Sequence, residues 1–245
     1  MRWAGGRVTV EDSVAISRTV TGKELRDRYL VDVPKLTLGL TRMEGTSMRL
    51  GSLELLRFGR PKVTRARVDW PIEGGLAAGA PGGRFTIAAA GGNLVATLDG
   101  YRPRVPVWVY ALTQLQVHHL LTRLHLLRVR GRQPSPGIPA DPANRLAAGA
   151  IDAVVCGTLA LFAGRGRRLR ALIGIGACYH IACWSVSGRT LGGAAMGQRV
   201  VAVDGSKPSP GQAALRFVTL PLAAFRMHAV HDEIACTEVI TGSGL

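Results

Sequence analysis

Residues 144–163, NRLAAGAIDAVVCGTLALFA, form a long apolar run with an arginine near its start and one carboxylate inside it. An ionisable side chain in such a run is costly in lipid, so it normally faces a protein interior or a wet cavity and has a function. Asp152 is therefore the first candidate functional residue. Arg145 lies seven residues earlier, which predicts that both side chains share one helix face, about 10 Å apart along the axis.

A second apolar run, ALIGIGACYHIACWSVS at residues 171–187, follows the arginine-rich segment GRGRRLR. Counted from Leu146 to Ala163 and from Ala171 to Ser187, each run has about 17 to 18 residues, the lower limit for crossing a bilayer, so the pair predicts a helical hairpin in a membrane. Small residues every fourth position favour close helix contact. We therefore expect the strip Gly149, Ala153 and Gly157 to meet Gly174 and Cys178 of the second helix.

His180 lies in the middle of the second apolar run and is expected to face Asp152. A buried carboxylate beside a histidine is suited to proton handling. The alternative is a histidine that is only hydrogen-bonded within its helix.

The chain is strongly basic, with 31 Lys and Arg against 16 Asp and Glu, and a net charge of +15. The excess is mostly arginine, which also fits a GC-rich genome. Basic charge suits anionic lipid headgroups or nucleic acid. The apolar runs independently indicate a membrane and no nucleic-acid-binding motif is visible, so membrane lipids are the expected partners, and nucleic acid is not.

The four cysteines lie in the second half of the chain and match neither a CxxC redox pair nor a zinc motif. We expect no cofactor and no metal site. The first residues, MRWAGGRVTVEDSVAIS, lack the apolar core and cleavage site of a secretory signal. The first half is thus expected on the cytoplasmic side of the cell membrane.

Short segments with alternating apolar and polar residues fill the first 105 positions. They read RVTVEDSVAI, KLTLGLTRM, MRLGSLELLRF, KVTRARVDW, GRFTIAA and NLVATLDGY. Gly91, Gly92 and Asn93 supply the positive φ that a tight hairpin needs. The pattern predicts a mainly antiparallel β domain.

Residues 107–130 have apolar residues on a helical period and a basic end. This helix either lies on the bilayer surface or packs across the sheet. Four prolines follow at residues 134–142, so the predicted division is a β-rich domain at 1–132 that ends in this helix, a linker at 133–143 and a membrane domain at 144–241. Asn144 is expected to cap the first membrane helix. The fold class is therefore α+β.

The second half resembles the RDD family of membrane proteins over about residues 143–241. The resemblance rests on RLAAGAID, on the segment SGRTLGGAAMGQRVVAVDGS and on HDEIACTEVI. It implies that Arg145, Asp152 and Asp232 are the arginine and two aspartates that name the family. Its other motif positions are Gly188, Thr190, Gly192, Gly197, Arg199, Asp204, Gly205 and Arg216. Gly193, Ala194 and Glu233 depart from the family pattern, which often has basic residues there.

A third helix is expected in AALRFVTLPLAAFRM, broken by Pro221 and short enough to be interfacial or re-entrant. His228, His231 and Asp232 follow it. An ion-pair role for Asp232, with Arg145 or Arg216, is favoured over a metal site.

Two functions remain open at this stage. The resemblance implies transport of ions or small solutes, with a polar site of Arg145, Asp152, Asp232 and His180. Two short spans cannot enclose a pathway, so a homo-oligomer or a larger complex is expected. The alternative is a non-catalytic accessory subunit in which Arg145 and Asp152 form a structural pair, the small-residue strip docks a partner, and the sheet domain binds a partner or lipid. No catalytic set is visible, so enzyme activity on lipid is a weaker third reading.

The arginine-rich loop between the two apolar runs conflicts with a cytoplasmic first half. Two crossings would place that loop outside, against the positive-inside tendency. A hairpin that dips into the membrane without crossing is the alternative.

Overall fold

The computed structural model describes residues 1–226 and 230–241, and the chain divides into two compact units. The first, Met1–Gly131, is called the sheet unit, and the second, Arg132–Leu245, is called the helical unit. The predicted antiparallel sheet in the first half and the two apolar helices in the second are confirmed.

The sheet unit contains a ten-stranded antiparallel sheet with helices packed on it. Its strands are β1 (Arg2–Ala4), β2 (Arg7–Ala15), β3 (Thr41–Glu44), β4 (Ser47–Leu50), β5 (Leu53–Phe58), β6 (Lys62–Val63), β7 (Arg67–Gly74), β8 (Ala78–Ala80), β9 (Gly83–Ala90) and β10 (Asn93–Pro103). The main order is β1-β2-β10-β9-β7-β5-β4-β3, with β6 beside β7 and β8 beside β10. The predicted hairpin joins β9 to β10, and Gly91 and Gly92 have φ values of 56° and 75°.

A helix that sequence reasoning missed, α1 (Gly22–Leu36), connects β2 to β3. Thr21 caps it by accepting a hydrogen bond from the Glu24 amide, and Leu25, Tyr29 and Val33 form its buried face at every fourth position. The strand expected at residues 35–43 is confirmed only at residues 41–43, in β3, because its first residues belong to this helix. Residues 48–58 form two strands rather than one, with a turn at Gly51.

The helix predicted at residues 107–130 is divided at Thr113 into α2 (Val107–Leu112) and α3 (Gln114–Arg130). The α3 helix packs against β2, β10 and α1 and buries Leu124, Leu126 and Leu127. Of the two alternatives, the structure therefore has the helix packed across the sheet.

The helical unit is formed by short strands and longer helices. Its described elements are α4 (Pro142–Leu161), α5 (Arg168–Val186), α6 (Leu191–Ala195), β11 (Gln198–Ala202), α7 (Pro210–Arg226), α8 (Val230–Ala235) and β12 (Thr237–Thr241). Strands β11 and β12 pair antiparallel, and the linker residue Pro139 bridges to Ile240 beside them. The α7 helix continues through Pro221 rather than breaking there.

The first apolar helix and its cap lie three residues earlier than predicted. Asp141, not Asn144, caps α4, because its carboxylate accepts hydrogen bonds from the Ala143 and Asn144 amides. Proline at the first helical position needs no amide partner, so Pro142 fits directly after this cap.

Most of the apolar surface of α4 and α5 points outward. Pro142–Leu161 and Arg165–Val186 are both long and apolar enough to cross a membrane, and only 22% and 11% of their apolar windows are buried. Large apolar side chains are exposed along both, including Leu146, Val154, Phe162, Leu169 and Ile173. A core helix of a soluble protein would instead bury most of such a window.

Candidate functional site

Asp232 is held by two arginines inside the helical unit. Its Oδ2 lies 2.5 Å from the Arg145 guanidinium of α4, and its Oδ1 contacts the Arg216 guanidinium of α7. Thr237 Oγ1 donates to Asp232 Oδ1 at 3.1 Å and accepts from Arg216 at 2.8 Å. We call Arg145, Arg216, Asp232 and Thr237 the arginine–aspartate cluster. It joins α4, α7, α8 and β12.

Arg216 and Asp232 are buried members of this cluster, whereas Arg145 is partly exposed. The Arg216 side chain is 4% exposed, and its guanidinium carbon lies 5.0 Å from the centre of the Trp184 ring. His231 Nε2 is 3.6 Å from Asp232, yet burial, together with the charges of Arg216 and Arg145, lowers the pKa of His231 to about 3. His231 is therefore neutral at physiological pH, and the two arginines carry the cationic side of the cluster.

Asp152 has a separate set of partners. Its Oδ1 accepts hydrogen bonds from the Tyr179 hydroxyl at 2.7 Å and from the Gly192 amide at 2.9 Å. His180 Nε2 lies 3.9 Å from Oδ2, while the other ring nitrogen of His180 is 2.8 Å from the Gly176 carbonyl oxygen. We call Asp152, Tyr179, His180 and Gly192 the Asp152 cluster.

The short helix α6 brings a backbone amide to the Asp152 carboxylate. Thr190 caps this helix by accepting from the Gly193 amide, which fixes the chain direction at Leu191 and Gly192. A Cβ at Gly192 would lie 2.1 Å from the Ala148 carbonyl oxygen, so only glycine allows this approach. The close contact with α4 therefore explains why the motif has a glycine at position 192.

The other motif positions shape turns or lie on the surface. Gly188, Gly197 and Gly205 have positive φ, and the Gly188 carbonyl accepts from the Val200 amide. Asp204 Oδ1 accepts from the Ser206 amide and hydroxyl, while Arg199 is exposed on β11.

The predicted site residues therefore fall into two clusters rather than one. Arg145 and Asp152 are on the same helix, but Arg145 pairs with Asp232, so the hypothesis that the two form a structural pair is wrong. Sequence reasoning missed Tyr179 and Thr237. Tyr179 gave only a weak signal, a polar tip beside His180 in an apolar helix, and Thr237 gave one as the threonine of the motif after Asp232. His228 lies outside the described residues.

The predicted helix contact along the small-residue strip is also wrong. Gly149 and Ala153 are exposed, and a Cβ at Gly149, Gly157 or Gly174 would meet no atom of the described residues within 4 Å. The buried face of α4 runs one position earlier, through Ala148, Asp152, Cys156 and Ala160. The buried aspartate sets this rotation because its partners lie on α5 and α6.

A comparison with protein families finds a match within the second half of the chain. The model of the RDD family matches residues 169–240, so this segment is similar to that family. The match includes His180, Arg216, Asp232 and the glycine motif; α4, with Arg145 and Asp152, precedes it. No curated protein and no solved structure matches the chain.

Proposed function

From the similarity of residues 169–240 to the RDD family, we propose that this chain is an integral membrane protein that transports a proton with an ion or small solute by way of Asp152. The proposal includes insertion of α4 and α5 into the cell membrane and assembly of several copies, because two short helices cannot enclose a pathway.

Insertion of α4 and α5 is supported by their outward apolar surface. Side chains such as Val154 and Leu169 would each expose a large apolar area to water but would be matched by lipid chains. Backbone groups within a helix are already hydrogen-bonded, which is the condition for entering a bilayer. Burial of Asp152 and Arg216 inside the unit keeps the charges away from this surface.

Proton handling at Asp152 is supported by its position and its partners. The carboxylate is buried in the middle of an apolar helix, and ionisable groups in such places usually serve transport or proton relay. Both observed hydrogen bonds go to Oδ1. Oδ2 faces His180 Nε2 at 3.9 Å, a distance that a water molecule or a small rotation of either side chain would bridge.

The arginine–aspartate cluster suits a structural role in this scheme. Both oxygens of Asp232 are occupied by arginines, so this carboxylate has little capacity left for a transported ion. The cluster would hold α4, α7 and α8 together while Asp152 changes its protonation state.

Flux measured with purified protein in liposomes tests the proposal. The Asp152→Asn variant cannot gain and lose a proton, so we expect proton-coupled flux to fall to the background of empty liposomes. Asp204→Asn is the matched control, because it removes a carboxylate from a surface turn and should retain flux. Equal flux from the wild type and Asp152→Asn would refute the proposal.

Labelling of the loop between α4 and α5 tests the topology. A Gly166→Cys variant should react with a membrane-impermeant maleimide from outside the cell, whereas Ser52→Cys in the sheet unit should react only from the cytoplasmic side. Both positions are exposed. Reaction of Gly166→Cys only from the cytoplasmic side would leave an anchor that does not cross the bilayer and would remove the transport proposal.

A non-catalytic accessory subunit is the second candidate, favoured by the strip of Gly149, Ala153 and Gly157, of which the first two are exposed and Gly157 is half-buried. Small residues on a lipid-facing surface allow another helix to approach closely. Under this proposal, Gly157→Leu should release a partner recovered with the wild type in mild detergent. Recovery of the protein alone, in one copy, would count against it.

A further inference from the structure

A cavity of about 490 Å³ lies inside the sheet unit, between the sheet and its helices. Its volume is within the usual range of about 300–1,000 Å³ for sites that hold small organic ligands. One side is a continuous face of α3. The residues of that face follow a helical period: Gln114, Val117, His118, Leu121, Thr122 and His125.

The rest of the lining is mostly apolar and aromatic. Strands β4, β5, β7, β9 and β10 contribute residues such as Met48, Leu56, Ile72, Phe85 and Leu98. Among the described residues, those that line the cavity include no arginine, lysine, aspartate or glutamate. An ionised ligand would therefore find no opposite charge at the wall, and its desolvation would be uncompensated.

Two of the residues that line the cavity each have a buried polar atom without a hydrogen-bond partner among the described residues. These atoms are Tyr110 Oη and His125 Nε2, on side chains that are 2% and 1% exposed. An unsatisfied buried polar group costs about 1–3 kcal/mol, so its persistence needs a reason. A ligand oxygen in the cavity would remove this cost.

The hydrogen-bonding roles of Tyr110 Oη and His125 Nε2 determine which oxygen groups of a ligand can pair with them. The other ring nitrogen of His125 is 2.9 Å from Asp32 Oδ2; in the tautomer in which it donates to this carboxylate, Nε2 is an acceptor. Burial, together with the charge of Asp12, raises the pKa of Tyr110 to about 12, so its hydroxyl stays protonated and can donate. A hydroxyl group can satisfy either atom, and a carbonyl can satisfy Tyr110.

The entrance to the cavity is also apolar. Leu40, Leu50 and Val117 line the cavity and are nevertheless 67%, 39% and 57% exposed. Apolar side chains in contact with both water and cavity favour entry of an apolar molecule over a hydrated one.

We propose that the sheet unit binds a neutral amphiphile, an apolar chain or ring system carrying an uncharged hydroxyl or carbonyl group, in this cavity. The oxygen forms a hydrogen bond with Tyr110 or His125, and the apolar part fills the space between α3 and the strands. This site is independent of Asp152 and of the transport proposal.

Photocrosslinking of the full-length protein in nanodiscs tests where such a ligand binds. The probe is hexadecanol carrying a diazirine, and crosslinked peptides are identified by mass spectrometry. We expect labels on peptides of α3 and β4–β5. Labels confined to α4 and α5 would overturn the proposal, because they would reflect only the bilayer.

A matched pair of variants tests occupancy of the cavity. Val117→Trp places a large ring at the entrance, whereas Val31→Trp makes the same change at a position of α1 that is 52% exposed and does not line the cavity. Labelling of α3 should fall at least tenfold in Val117→Trp and stay at the wild-type level in Val31→Trp. Equal labelling of the two variants would overturn the proposal.

Competition tests the uncharged oxygen. Unlabelled 1-decanol should displace the probe, and decanoate at the same concentration should not; equal displacement by decanoate would overturn the neutral head group. Tyr110→Phe or His125→Leu should weaken decanol binding about tenfold, the effect of one hydrogen bond. Tyr101→Phe is the control, since that hydroxyl already donates to the Ala77 carbonyl. Unchanged binding in both Tyr110→Phe and His125→Leu would overturn the hydrogen-bonding role.

Discussion

The sheet unit and the helical unit distribute polar and apolar groups in opposite ways. The sheet unit turns its apolar residues inward around a cavity and leaves Tyr110 and His125, which line it, each with a buried atom unpaired among the described residues. The helical unit turns apolar residues outward and occupies both oxygens of Asp232 with arginines. This difference is the basis of our two proposals, a small ligand inside the sheet unit and lipid around the helical unit.

The largest expected effect comes from opening the arginine–aspartate cluster. Asp232→Ala would leave Arg216 buried and without its carboxylate, and breaking one partner of a buried pair costs about 3–5 kcal/mol. We expect the helical unit of this variant to unfold at a much lower temperature in detergent. Thermal melting followed by Trp184 fluorescence, with Trp3, Trp70 and Trp108 replaced by phenylalanine in every protein compared, measures this, because Trp184 packs against Arg216.

Glu238→Gln is the control for this change. It removes a carboxylate from the more exposed pair with Arg132, 2.9 Å away, and such pairs contribute about 0–1 kcal/mol. If Asp232→Ala melted like Glu238→Gln, the cluster would not be the structural centre of the unit.

A smaller loss of stability is expected from a substitution at the close contact between α6 and α4. Gly192→Ala would place a methyl group 2.1 Å from the Ala148 carbonyl oxygen and 3.0 Å from the Asp152 carboxylate carbon, so α6 must move away. Overpacking of this kind costs about 1–3 kcal/mol, and the amide bond to Asp152 would be lost as well. Urea unfolding in detergent measures the loss of stability.

Gly157→Ala provides the comparison within α4. A methyl group there meets no described atom within 4 Å, and alanine favours a helix over glycine by up to about 1 kcal/mol. This variant should be as stable as the wild type or slightly more so. A loss of stability at Gly157 equal to that at Gly192 would restore the small-residue strip as the contact between helices.

Local patterns explain which parts of this fold are predictable. Strands β2, β9 and β10 follow from alternating residues, and the β9–β10 hairpin follows from two glycines, because both signals depend on near neighbours only. The α1 helix was missed because its apolar face is only three residues, Leu25, Tyr29 and Val33, within a charged segment.

The site depended on contacts between distant residues, which a single sequence does not encode locally. Arg145 and Asp152 share a face as helix geometry requires, but their partners are 87 and 27 residues away, at Asp232 and Tyr179. The family resemblance supplied the importance of Asp232 and Gly192 without their geometry. In the sequence, the cavity is indicated only in part, by the helical period of apolar residues in α3. The same period would also fit a helix that packs on a core without a cavity.

The smallest expected effect concerns the pH dependence of the sheet unit. Burial, followed by the charge of His119, lowers the pKa of His118 to about 4 from its ordinary value near 6.5. The unfolded chain therefore takes up this proton near pH 6.5, whereas the folded unit resists protonation until about pH 4. The contribution of His118 to stability is complete above pH 6.5 and is lost as the pH falls towards 4, by about 2 kcal/mol at pH 5.

His118→Gln isolates this contribution because glutamine keeps polar atoms and does not titrate. Burial raises the pKa of Asp12, whose Oδ2 lies 3.9 Å from His118 Nε2, and this opposes part of the loss at low pH in both proteins. Melting of the full-length protein, followed by the β-sheet signal in circular dichroism, should shift less between pH 7.5 and pH 5 in His118→Gln than in the wild type. Equal shifts would mean that His118 is solvated, and that the wall of the cavity around it is open to water rather than suited to an apolar ligand.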